Sequence, residues 1–207
     1  MTAATLFDTA PRVPAPAPAG VGARPLVIGL DLSLRSTGIA GPDWTDAIRT
    51  GKDLAGPARL THIRNEIADR VKAADLAVIE GPSHGSALQQ GHHEMAGLWW
   101  MVVCDLHRAG IPYAVVPPDC RTIYATGKAR WKGETSVQVK GRVRDAVASR
   151  YGIECDGPAR YDRADAFILA SMGLDWLGYA LAPVPDPQNS RGMVKVAWPA
   201  LAPVVAR

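Results

Sequence analysis

The chain has 207 residues, 47% of them hydrophobic, and a formal net charge of +3, enough for one sizeable core and a single α/β domain. It contains no run of about 18 or more apolar residues, so no membrane-spanning helix is expected. Three widely spaced cysteines, Cys104, Cys120 and Cys155, form no CxxC pair and fit a reduced, cytoplasmic setting.

Residues 1–24 are rich in Ala and Pro, without a basic segment leading into an apolar one. They are expected to be a disordered tail and not a secretory signal. The apolar run Leu26 to Leu30 predicts a central strand ending at Asp31. Ser33 to Gly38 suits a tight turn, with return strands at Thr37 to Ala40 and near Ala47 to Thr50. Pro57 opens a helix whose inward stripe is Leu60, Ile63, Ile67 and Val71. Leu76 to Glu80 is another strand, stopped by Gly81-Pro82. A helix is expected from about Ser86 to Ala109, unusually apolar between Met95 and Cys104, with Cys104 as a small core residue. Tyr113 to Val116 predicts a further strand, and a short helix starts near Asp119. After a loop at Gly127 to Gly133, Ser136 to Arg150 reads as a helix with Val139, Val143, Ala146 and Val147 inward. The last helix runs from Asp162 to about Leu181, and the Pro-rich residues 182–207 are expected to be irregular or to wrap the surface. Early strands in close succession, followed by strands separated by helices, predict a mixed sheet flanked by helices.

Four carboxylates stand out on that frame. Two short buried strands place Asp31 and Glu80 side by side at one sheet end. The i, i+3 spacing of Asp162 and Asp165 puts both on one helix face. Converging acidic oxygens repel one another, and such clusters usually hold hard divalent cations. Between Lys128 and Arg150 lie seven cations against two acids, a local excess of +5, with Trp131 among them. That strip suits a phosphate backbone, or else forms a solvated helix face. Trp99-Trp100-Met101 reads as core or as a dimer interface. His92 and His93 point apart on a helix and do not make a zinc site.

Three segments carry a resemblance: Ile28-Gly29-Leu30-Asp31-Leu32-Ser33 with Thr37-Gly38, Val78-Ile79-Glu80, and Asp162-Arg163-Ala164-Asp165-Ala166. In their order and spacing they resemble the RuvC family of Holliday-junction resolvases, in the RNase H-like nuclease superfamily. The resemblance covers residues 25–181 and implies an α/β, RNase H-like fold with a mixed five-stranded sheet flanked by helices. It implies that Asp31, Glu80, Asp162 and Asp165 are the catalytic carboxylates and bind two Mg²⁺ ions, with Mn²⁺ able to substitute. Asp31 would be the bridging ligand. It further implies a homodimer that nicks four-way DNA junctions symmetrically and leaves 5′-phosphate ends, in recombination and repair, beside a branch-migration helicase. The setting would be the cytoplasm of a bacterium or of a phage-infected host.

The family's supporting cations have candidates here in Arg121, Lys128, Arg130, Lys132, Lys140 and Arg142. The family places a Lys before the helix that starts here at Ser136; this chain has Glu134-Thr135, and Lys132 or Lys140 takes that part. Where the family carries an aromatic wedge after the Glu, this chain has Gly81-Pro82-Ser83-His84-Gly85, with His84 as a stacking candidate. Three alternatives remain open at this level: a nuclease for other branched or RNA-containing duplexes, a non-catalytic DNA-binding module, and an actin-like nucleotide-binding lobe. The last draws on the Gly29-Leu30-Asp31 and Thr37-Gly38 pattern.

Overall fold

The computed structural model describes residues 23–82 and 91–200. Three short strands come first, β1 (Val27–Asp31), β2 (Ser36–Ala40) and β3 (Thr45–Arg49), followed by helix α1 (Gly56–Val71) and strand β4 (Leu76–Glu80). Helix α2 (His92–Arg108) leads to strand β5 (Tyr113–Val116), and helices α3 (Pro118–Thr126), α4 (Ser136–Tyr151), α5 (Arg160–Trp176) and α6 (Asp186–Met193) follow among the described residues. The sheet order is β3-β2-β1-β4-β5. β1, β2 and β3 form an antiparallel meander, whereas β4 and β5 run parallel to β1. The mixed five-stranded sheet read from the sequence is the one observed.

Strand alternation divides the core. Ile28, Leu30, Ala77 and Ile79 face α1 and α2, packing with Ile63, Ile67, Leu98 and Leu106. Val27, Leu76 and Val78 face the opposite way, toward Phe167, Leu169 and Met172 of α5 and Val143 and Val147 of α4. Asp31 and Glu80 have the same parity as Val27 and Val78, so their side chains emerge on the α5 side. The turn between β1 and β2 is closed by Thr37, whose Oγ1 donates to the Ser33 carbonyl at 2.8 Å and accepts from its N–H at 3.1 Å.

Several boundaries differ from the sequence reading. α2 begins at His92, because Gly91 takes a left-handed conformation (φ +86°) that a continuous helix forbids; the stretch from Ser86 to Gln90 lies outside the described residues. α5 stops at Trp176, where left-handed Gly178 lets the Tyr179 N–H return to the Leu174 carbonyl at 2.8 Å. Cys104 is exposed, which corrects its placement in the core: it lies on the outer side of α2 with Trp100, itself 57% exposed. Trp99 turns inward, and its indole N–H donates to the Glu80 carbonyl at 3.1 Å.

The segment after Pro183 is less irregular than expected. Pro187 sits in the first turn of α6, where a missing N–H costs nothing. α6 then lies against α3, with Gly192 so close to Tyr124 that an added Cβ would stand 2.7 Å from the Tyr124 Cβ. Gln188 donates to the Tyr124 carbonyl at 2.6 Å, and Asn189 and the Tyr124 hydroxyl both donate to Asp175. Ala197 pairs with Val115 through two 3.0 Å hydrogen bonds and covers the outer edge of β5. Among the described residues no helix is long and apolar enough to cross a membrane.

α1 and α2 are tied together by Arg64, whose guanidinium forks onto both oxygens of Asp105; Nη2 donates to Oδ1 at 2.9 Å. Those hydrogen bonds hold the Asp105 carboxyl below its usual range, against the opposing pull of burial. A depressed folded value means that the pair contributes stability above the unfolded carboxylate pKa and loses it as pH falls through the folded one. Asp105→Asn is therefore expected to lower the urea midpoint at pH 7, with the gap to wild type narrowing as pH falls below the unfolded carboxylate pKa. Equal midpoints at pH 7 would remove the pair from the account.

Candidate active site

The four carboxylates meet because the sheet register and one helix bring them together. Leu30 pairs with Ile79 across the parallel β1–β4 ladder, so Asp31 and Glu80 follow in step as the last residues of adjacent strands. α5 lies across β1, β2 and β4 with its first turn above that sheet end, and Asp162 and Asp165 lie one turn apart on it. Two glycines permit the close approach. A Cβ on Gly29 would fall 2.0 Å from the Ala166 carbonyl oxygen, and one on Gly38 would fall 1.9 Å from that of Asp162. Ala164, Ala166 and Ala170 keep the helix side small enough to match.

Two cations enter the cluster. Arg121, from α3, places Nη1 2.9 Å from Glu80 Oε1 and 2.8 Å from Asp165 Oδ2. Lys140, from α4, brings Nζ to 3.5 Å from Asp162 Oδ1 and 3.6 Å from Asp165 Oδ2. Asp165 is fully buried and Asp31 nearly so, while Glu80 and Asp162 are half-buried. Burial pushes the Asp165 carboxyl up to about 7, beyond what Arg121 and Lys140 pull back. Burial, then the neighbouring Glu80, also raises Asp31 well above the usual range. For Arg121, burial opposes the charge, but Asp165 and Glu80 lead the surrounding carboxylates in holding it protonated. Lys140 is likewise raised: burial opposes its charge, and Asp165, Asp31 and Asp162 outweigh it.

The ion contacts leave hydrogen-bonding capacity unused. Both oxygens of Asp165, Glu80 Oε1 and Arg121 Nε are buried without a well-aligned hydrogen bond, although Arg121 Nη1 lies within 3 Å of two of those oxygens. An all-oxygen set with unsatisfied buried carboxylates suits a hard divalent cation, not zinc. Among the described residues no three His, Cys, Asp or Glu side chains already stand as a ready-made ligand cage. Arg121 and Lys140 take up part of the carboxylates' coordinating capacity instead.

The other cations singled out in the sequence lie elsewhere. Lys128, Arg130 and Lys132 are exposed on the connection between α3 and α4. Arg142 is held by Glu134, with Nε 2.8 Å from Oε2, and lies 4.9 Å from the centre of the Trp131 ring. Thr135 begins α4 with a capping box to Gln138, which accounts for Glu134-Thr135 at that position. His84 lies outside the described residues. Arg121, which the sequence groups with the surface cations, is buried and turned toward the carboxylates. A signal for it existed: Arg121 shares the i, i+3, i+4 stripe of buried Tyr124 and Ala125. Lys140 likewise precedes buried Val143 and Val147 by three and seven residues.

No protein-family model matches the chain, and no curated protein matches it. Solved structures do. Thermus thermophilus RuvC bound to a Holliday junction substrate aligns at a TM-score of 0.53 and 16% identity, covering 77% of this chain and 99% of that one. A second Thermus thermophilus RuvC structure aligns at a TM-score of 0.55 and 14% identity, with the same coverage. The chain has a RuvC-like fold. At these identities the RuvC-like fold is what the two proteins share; the chemistry of this chain has to be argued from its own residues.

Proposed function

We propose that the chain is a metal-dependent, structure-selective DNA endonuclease that resolves four-way junctions by paired symmetric nicks leaving 5′-phosphate ends, in recombination and repair. The observation that carries this reading is the convergence of Asp31, Glu80, Asp162 and Asp165 at one sheet end, with buried carboxylate oxygens left unsatisfied. Those residues would hold two Mg²⁺ ions, or Mn²⁺ in their place. When bound, such ions lower the pKa of an attacking water and stabilise the leaving 3′ oxygen. Asp31 would be the bridging ligand among them. Lys140, 40% exposed, reaches from solvent to Asp162 and can meet a non-bridging phosphate oxygen beside the carboxylates. Lys128, Arg130 and Lys132 extend positive charge outward from α3.

A twofold pair of such sites would cut opposed strands, and the exposed stripe of Ala96, Trp100 and Cys104 on α2 offers a surface for self-association. The enzyme would work in the cytoplasm, beside a branch-migration helicase. A second reading, a nuclease of wider substrate range acting on other branched or hybrid duplexes, is favoured by the absence of an aromatic in Gly81-Pro82-Ser83-His84-Gly85.

The test is cleavage of a labelled immobile four-way junction in Mg²⁺, Mn²⁺ or EDTA, beside a three-way branch, an RNA–DNA hybrid and a linear duplex. Paired symmetric nicks on the four-way junction alone, and only with metal, are expected. Equal cutting of all branched forms selects the wider nuclease, and binding without cutting in either metal selects the binding module. Replacing Lys128 or Lys132 by Ala should weaken junction binding and lower the slope of log affinity against log salt by about 1 each. An unchanged slope would place the backbone elsewhere.

A further inference from the structure

Arg121 does something that a surface phosphate contact does not. A single nitrogen, Nη1, lies 2.9 Å from Glu80 and 2.8 Å from Asp165, carboxylates contributed by different elements, a strand end and a helix. Its side chain is only 8% exposed, and Asp165 is wholly buried. One positively charged atom bridging two carboxylates in the interior stands where a bridging metal ion could stand. α3 is also held in place: α6 packs along it, with Gln188 on the Tyr124 carbonyl and Tyr124 tied to Asp175 of α5. With all groups ionised, four carboxylates against Arg121 and Lys140 leave a formal charge of −2, which one divalent ion neutralises. A second would be placed close to a buried guanidinium with no remaining negative charge to offset it.

We propose that Arg121 is a resident cation that fills the position between Glu80 and Asp165, so that the DNA-free protein binds one divalent ion per chain instead of two. This rests on the metal-nuclease reading and deepens it: the free carboxylate oxygens around Asp31 take the single ion. A second ion is admitted only when a substrate phosphate supplies negative charge or draws the guanidinium away.

The experiment is a Mn²⁺ titration of the full-length, DNA-free protein, with free Mn²⁺ followed by electron paramagnetic resonance, for wild type and Arg121→Gln. Circular dichroism establishes that each is folded. Saturation at one ion per wild-type chain and at two per Arg121→Gln chain is expected. Two ions in the wild type, or one in both proteins, overturns the inference and leaves the nuclease reading standing. No ion in either overturns both. If the one-to-two pattern is found but junctions are not cut, the inference holds and the resolvase reading fails. Should Arg121→Gln not fold, Arg121→Met takes its place with the same expected counts, and two ions in the wild type alone overturn the inference.

Discussion

With Asp31 replaced by Asn, metal-dependent junction cleavage is expected to fall by about 10³-fold or more, the scale of losing a ligand that would hold the metal ions against the reacting phosphate. Junction binding should hold or tighten, because one negative charge is removed from beside the DNA. The stability of the metal-free protein should not drop. Asp31 is 6% exposed, and burial and Glu80 already disfavour its charged form, so a neutral side chain of the same shape relieves repulsion. Single-turnover cleavage, a gel shift and a thermal melt in EDTA read the three effects. Wild-type cleavage by this variant would end the carboxylate mechanism. A lower melting temperature in EDTA would mean that Asp31 has a stabilising partner beyond those described.

Gly38→Ala is expected to cost about 3 kcal/mol of stability, the upper range for forcing a methyl group into a closed contact. The new Cβ would fall 1.9 Å from the Asp162 carbonyl oxygen and 2.5 Å from its carbonyl carbon. Both are backbone atoms, so relief requires lifting the first turn of α5, which carries Asp162 away from Asp31. Gly141→Ala on α4 is the matched control: nothing lies within 4 Å of its added Cβ, and the helix should gain about 0.5–1 kcal/mol. Urea denaturation compares them. Similar midpoints for the two variants would show that α5 yields easily and that the carboxylate geometry is not set by this contact.

Much of this architecture could be read from residue order. β1, β4 and β5 announced themselves as short apolar runs bounded by turn residues, and Asp31 and Glu80 as the polar residues that end two of them. The i, i+3 spacing of Asp162 and Asp165 sufficed to put both on one helix face. What could not be read is the arrangement across elements. The Gly29-Leu30-Asp31 and Thr37-Gly38 pattern also fits a phosphate loop; only the packing shows both glycines pressed against the α5 backbone. Arg121 looked like one cation among several because local sequence does not reveal that α3 lies beside the carboxylates. α6 was obscured by Pro185, Pro187 and Gly192, residues that usually interrupt a helix but here start it and seat it on Tyr124.

The position of β1 at the middle of the sheet has a consequence for how the molecule opens. Proteins come apart in cooperative units, edges and peripheral helices first and the most enclosed segments last. Asp31 belongs to the central strand and Glu80 to its parallel neighbour, and Asp165 to the helix that packs across both. Lys140 belongs to α4, whose outer side faces solvent. Amide exchange should therefore be slowest along β1, β4 and the middle of α5, and faster in α4. The anionic half of the site would then survive fluctuations that detach its lysine, and the protein could release and regain that charge without dismantling the acids it serves.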